Sequence, residues 1–129
     1  MIGLTTPSAT QLVDAPARTR LRDWRARLRI AVYSLYRECP ELPIDGGSEG
    51  LAELIDEGRA APTTPASVTG VTAEALAGAI FHELCLAATR EDGPPVESEL
   101  VPTLMYSAVL PYVGAEAAAE ELRIPPPPR

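Results

Sequence analysis

The chain contains no lysine, so all eleven of its basic side chains are arginine. It has one histidine, two cysteines, one tryptophan and one phenylalanine. Two cysteines are too few for a disulfide framework. A lone histidine with two thiols also falls short of the four ligands that structural zinc takes. No apolar run reaches about 18 residues, so no membrane-spanning helix and no membrane partner are predicted. The opening MIGLTTPSATQ has neither a basic start nor a long apolar stretch. It is not expected to act as a secretory signal, and a cytoplasmic location is expected. No segment alternates as a strand would, and there is no internal repeat. The absence of lysine beside abundant Ala, Arg, Pro and Gly points to a GC-rich bacterial genome.

At 129 residues the chain has room for one domain. Its net charge of −7 argues against nucleic-acid binding by the chain as a whole. The charge is uneven. Residues 1–37 carry seven Arg and two Asp, whereas residues 38–129 carry four Arg and sixteen acids. Arg18, Arg20, Arg22, Arg25, Arg27 and Arg29 concentrate the positive part. With no aromatic or Gly-rich element beside them, they read as the solvated face of an amphipathic helix that attracts the acidic remainder.

Four to five helices follow from hydrophobic period and punctuation, giving an all-α antiparallel domain over residues 14–123. Residues 1–13 read as a mobile leader and 124–129 as a Pro-rich tail, frayed in the manner of chain ends. Asp14 and Pro16 start the first helix, in which Leu21, Trp24, Leu28, Ala31, Leu35 and Cys39 recur at steps of three and four, widened by Val32 and Tyr36. Pro40 ends it. A short helix follows, capped by Ser48, with Leu51, Leu54 and Ile55 inward and Gly58 as its stop. Residues 60–70 form a Pro- and Thr-rich linker, expected to be flexible or to stand in place of a lost element.

The third helix starts at Thr72, with Val71 and Leu76 placed for a hydrophobic staple, and runs to about Arg90. It is apolar on two faces. Leu76, Ala77, Ile80, Phe81, Leu84 and Ala88 make one. Ala75, Gly78, Ala79, His82 and Leu86 make the other, built largely of small residues. The fourth helix, capped by Ser98, is apolar in nearly every direction until Pro111 kinks or ends it. So much apolar surface on the third and fourth helices exceeds what one small subunit can cover, and self-association is expected. A last short helix spans 115–123, with Glu120 and Glu121 at an exposed end.

Catalytic chemistry is not expected. His82 and Cys85 share a helix face at i, i+3, but no further ligands or orienting group accompany them. The glycines at 46, 47 and 50 lack the Lys and Ser/Thr of a phosphate loop. No enzyme activity, metal or cofactor is predicted.

The segment from Glu99 to Ala118 resembles the end of TetR-family transcriptional regulators. Its core is Pro111, Tyr112, Val113, Gly114, Ala115, Glu116 and Ala117, similar to the Pro-Tyr-Leu-Gly element with which many members finish. The stretch Asp23, Trp24, Arg25, Ala26, Arg27, Leu28 leading to Glu38, Cys39, Pro40, Glu41 and Leu42 is similar to a family helix ending in a Glu-His-Pro-Glu-Leu-like turn. Leu54 to Arg59 looks like the helix end before the dimerisation helices. The resemblance covers roughly residues 16–122.

It implies an effector-binding and dimerisation domain, a homodimer in which the last two long helices of each subunit form a four-helix bundle. On that basis Ala75, Ala79, His82, Leu86, Leu104, Ala108 and Tyr112 are the expected seam. A small apolar effector would lie among the central helices, against Trp24, Leu28, Val32, Tyr36, Phe81, Cys85 and Met105. No helix-turn-helix is legible ahead of the first helix, so DNA is expected to be met only through one not present in this chain. The alternative is a standalone helical interaction module that homo- or heterodimerises without a small-molecule ligand.

Overall fold

A computed structural model describes residues 15–38, 47–90 and 96–128. The expected leader, Cys39 and the turn at Pro40 lie outside the described residues. Among the described residues five α-helices follow in order: α1 (Ala15–Glu38), α2 (Gly47–Asp56), α3 (Gly70–Thr89), α4 (Glu97–Val113) and α5 (Ala115–Glu120). Short 3-10 turns, Glu57–Ala60 and Glu121–Arg123, follow α2 and α5. Among the described residues there is no strand, and the chain is all-α.

α1 turns Ala17, Trp24, Leu28, Val32 and Tyr33 inward, the stripe that its three-and-four spacing demands. α2 contributes Leu51 and Ile55, and α3 contributes Ala73, Ala77, Ile80, Leu84 and Ala87. α4 is the centre of the domain. Val101, Pro102, Leu104, Met105, Ala108, Val109 and Tyr112 are all buried, and α1, α2, α3 and α5 or their adjoining turns cover them. The expectation that this helix needs a second subunit is therefore corrected, since the chain's own elements enclose it.

Trp24 locks the middle of the core. Its indole Nε1 donates to Leu54 O (2.7 Å), and its ring meets Tyr112 edge-on, with centroids 5.4 Å apart. Gly58 closes this contact. A Cβ there would stand 2.5 Å from Trp24 Cζ2 and 3.0 Å from Tyr112 Cδ1, so the glycine is there for close approach. It does not end the helix as expected, since α2 stops at Asp56 and Gly58 lies within the 3-10 turn that follows.

Two prolines enter α4. Pro102 and Pro111 each lack the N–H of a helical hydrogen bond, yet the helix continues past Pro111 to Val113. Gly114, rather than Pro111, ends it. Its φ of 86° and ψ of 167° lie in a region open to glycine. Its N–H donates to Leu110 O and its C=O accepts from Ala118 N–H, both at 3.0 Å, so one residue turns the chain from α4 into α5. At the other end, Val96 rather than Ser98 precedes the first helical residue of α4.

The 60–70 linker is tied down. Thr63 Oγ1 and Thr64 Oγ1 both donate to Tyr112 O (2.9 and 3.3 Å), and Thr64 Oγ1 also reaches Gly58 O (2.8 Å). These threonines supply donors to carbonyls that helix ends leave free. α3 begins two residues earlier than its period suggests, with Thr69 N–H donating to the Thr72 hydroxyl (3.3 Å). Val71 is 69% exposed, so the expected staple does not form.

Salt links decide how the two ends of the chain meet. Glu121 is 1% exposed, where the sequence suggested an open helix end. Arg25 donates from Nε to Glu121 Oε2 (2.8 Å). Arg29 donates from Nε to Oε1 (2.8 Å) and from Nη2 to Oε2 (2.9 Å). Arg25 Nη2 also reaches Ala117 O (3.2 Å). The tail is likewise held. Arg37 pairs with Glu97 (2.6 Å) and donates from Nη2 to Pro127 O (2.7 Å), which corrects the expectation of a frayed end.

Two substitutions test this arrangement. Glu121→Leu leaves two half-buried guanidinia without their carboxylate and should cost about 2–4 kcal/mol, below the full cost of breaking a sealed pair because both arginines reach water. Urea denaturation measures it, and a loss under about 0.5 kcal/mol, the ordinary range for surface substitutions, would show that the clamp contributes nothing. Gly58→Ala should cost about 1–3 kcal/mol by overpacking and shift Trp24 fluorescence. An unchanged emission spectrum would contradict the close contact.

Candidate functional site

The residues expected to line an effector pocket do not come together around a cavity. Trp24, Leu28, Val32 and Met105 are buried core residues. Tyr36 and Phe81 are half-buried against that core, and Cys85 is exposed on α3. α1 and α3 do not form a packed pair, because each packs instead on α2 and α4. Trp24 lines a surface groove in which none of the other six takes part, and Cys85 is exposed. This corrects the pocket expectation.

The expected seam residues divide. Ala75, Ala79, His82 and Leu86 are exposed along one face of α3, at steps of four, three and four. Leu104, Ala108 and Tyr112 are buried inside the protomer and cannot also face a second subunit. Of the expected seam residues, those left exposed all lie on α3. That helix is packed through Ala73, Ala77, Ile80, Leu84 and Ala87, and its opposite side is bare. The stretch Gly70–Ala87 is long and apolar enough to cross a membrane by length and composition, yet only 28% of it is buried. The absence of an 18-residue apolar run in the sequence had suggested no such helix. Among the described residues, no three His, Cys, Asp or Glu side chains come together as a metal site would need.

The arginines of α1 serve two purposes. Arg25 and Arg29 are half-buried in the Glu121 clamp, and Arg27 pairs with Glu57 across an exposed edge (2.7 Å). Their reading as a solvated face holds for Arg18, Arg20 and Arg22, which are exposed. These three residues flank two surface grooves that meet at Leu21. One, of about 480 Å³, runs past Ala17, Arg20, Trp24, Gly58 and Pro62. The other, of about 420 Å³, lies between α1 and the α4–α5 corner. A third depression, about 470 Å³, is lined by Glu49, Glu53, Asp56 and Glu74. No sequence pattern announced the grooves, since their walls come from separate segments, residues 17–27 with 57–62 in the first and 18–29 with 63 and 113–124 in the second.

Two buried phenols stand out electrostatically. The hydroxyls of Tyr33 and Tyr112 have no hydrogen-bond partner among the described residues. Burial pushes both groups above the ordinary value of 10.0. Glu97 adds to the effect at Tyr33, where Arg37 opposes it; the Arg37 guanidinium stands 5.4 Å from the Tyr33 ring centroid. Asp56 adds to it at Tyr112, where Arg59 opposes it. The folded chain thus keeps phenolic protons that the unfolded chain releases. Stability from this source is full below about pH 10, the ordinary phenol value, and is lost as pH rises through the raised folded values.

Urea midpoints measured from pH 8 to 11.5 should fall only above about pH 10. Tyr112→Phe, which removes a hydroxyl without a partner, should make that fall shallower and leave neutral-pH stability unchanged or up to about 1 kcal/mol higher. A steeper alkaline loss in the variant would contradict the assignment.

Comparison with protein-family models, curated proteins and solved structures finds no match to this chain.

Proposed function

We propose that the chain is the pairing half of a TetR-like transcriptional regulator, an all-helical cytoplasmic domain that forms a homodimer across α3 and meets DNA only through a helix-turn-helix outside this chain. The observation that carries the reading is the bare side of α3. An exposed apolar helix face this long is unfavourable in water and marks an interaction surface. Ala75, Gly78 and Ala79 are small enough to let a second backbone come close. The seven-residue recurrence of Ala75, His82 and Thr89, with Ala79 and Leu86 between them, suits a helix pair crossing at a shallow angle. A two-fold axis would set α3 against its own copy, so that one stripe serves both partners. The resemblance around Pro111 to Ala117 supplies the regulator class.

A second reading is favoured by a specific observation. Trp24, Leu28, Val32 and Met105 are packed into the core, which suits a standalone interaction module that homo- or heterodimerises without a central ligand. The regulator reading then needs its effector to bind elsewhere than among these residues.

Sedimentation equilibrium distinguishes pairing from its absence. The chain should be a dimer at micromolar concentration, and Ala79→Arg, which places a charge and a long side chain in the middle of the seam, should make it monomeric with an unchanged helical circular-dichroism spectrum. A wild-type monomer at tens of micromolar would end the pairing proposal. A dimer that survives Ala79→Arg would move the seam off α3.

A further inference from the structure

α1 presents Arg18, Arg22, Arg25 and Arg29 at steps of four, three and four, which places them on one helix face. All four line the groove of about 420 Å³ between α1 and the α4–α5 corner. Two are already engaged. Arg25 and Arg29 bind Glu121, and Arg25 also reaches Glu120. Arg18 and Arg22 are exposed and form no ion pair among the described residues. The rest of the lining is mostly apolar, made by Leu21, Ala26, Val113, Ala117 and Ile124, with Thr63 and Glu120 as its other polar members; the Glu120 carboxylate is paired with Arg25. The tail contributes Ile124 and is held in place by Glu121 at its start and by Arg37 on Pro127. The groove is therefore walled by fastened elements.

A chain of net charge −7 repels anions over most of its surface. Two guanidinia without carboxylate partners among the described residues, beside a mostly apolar trough, depart from that background. Guanidinium forks match a carboxylate in plane and accept it through two parallel hydrogen bonds. A trough of this volume lies within the range of small-molecule sites, about 300–1,000 Å³.

We propose that this groove binds a free amphiphilic anion, a carboxylate on an unbranched hydrocarbon chain of about ten carbons, with the head on Arg18 and Arg22 and the chain over Leu21, Ala26, Val113 and Ile124. A nucleic acid fits poorly, because among the described residues only two of this groove's four arginines are unpaired and the overall charge is negative. An acidic peptide fits poorly as well, because its backbone would lie on a floor that offers it few polar partners. The inference goes beyond the pairing reading. None of the groove residues lies on α3, so a monomeric chain retains the site.

Isothermal titration of the chain with sodium decanoate below its micelle-forming range, at pH 8, tests the proposal. Decanoate should bind one to one. Octanoate should bind more weakly, by at most about fourfold for each methylene lost. Acetate, which has the head without the chain, and decanol, which has the chain without the charge, should each bind at least about tenfold more weakly than decanoate, the factor that corresponds to losing one good interaction. Arg18→Gln with Arg22→Gln should weaken decanoate by a similar factor and leave the melting temperature of the free chain unchanged, because both side chains are exposed. Arg20→Gln, an exposed neighbour outside this groove, should bind as the wild type does.

Absence of decanoate binding overturns the proposal. So does equal binding of decanol, an unaffected double variant, or a loss in Arg20→Gln as large as in the double variant. Binding to phosphatidylglycerol vesicles without binding of decanoate would replace the free ligand by a membrane surface and also overturn it. Sedimentation of the same samples reports pairing separately, so failure of one proposal is distinguishable from failure of the other.

Discussion

A carboxylate sealed from water is tolerable only when donors occupy its lone pairs. Glu121 meets that condition through Arg25 and Arg29, one turn apart on α1. Because Arg25 also reaches Ala117 O, the α5 corner is seated on α1 at two successive turns. Arg37 makes a comparable fastening farther along, to Glu97 at the start of α4 and to the carbonyl of Pro127. A proline-rich tail has few N–H groups to offer and must be held through its carbonyls. These bridges suit arginine. A planar guanidinium holds a carboxylate and a carbonyl at once through donors in fixed directions, where an ammonium acts as a compact point charge. The complete absence of lysine thus has a structural counterpart in how this chain is closed.

With the ends fastened, the apolar surface is distributed unequally. α4 is buried along most of its length by the rest of the chain, and Trp24, Gly58 and Tyr112 meet where α1, the end of α2 and α4 come together. α3 packs on one stripe and leaves its small-residue side in water. Both helices have nearly the same average apolarity around their circumference, so composition does not distinguish them. Their positions do, since α4 lies inside the bundle and α3 on its edge. That difference leaves a bare helix face on α3 and, apart from it, a groove along α1.

Much of this was legible from local pattern. The stripe through Trp24 and Leu28, the short last helix and the all-round apolarity of residues 98–112 follow from period and punctuation, which act over a few residues. The expected errors were also local in origin. Ser98 resembles a cap, but the helix starts one residue earlier. Pro111 resembles a stop, but a proline near the end of a helix removes one hydrogen bond that Gly114 would soon have interrupted. The linker's prolines and threonines resemble a loose connection, and nothing nearby reveals that Thr63 and Thr64 find the Tyr112 carbonyl.

The candidate sites were less legible than the helices. Ala75, Ala79, His82 and Leu86 were readable as a second apolar face, because that is a property of one helix. Leu104, Ala108 and Tyr112 have the same kind of pattern and point inward, because other helices reach them first. The sequence by itself determined that the chain is helical, roughly where each helix lies, and which residues each helix can turn inward, since hydrogen bonding and side-chain period are set by near neighbours. Only the tertiary structure decided which apolar faces meet within the chain, which is left bare, and which of many acids closes on Arg25 and Arg29. Those choices depend on contacts between residues as far apart as 25 and 121, and no local spacing encodes which distant partner will be near.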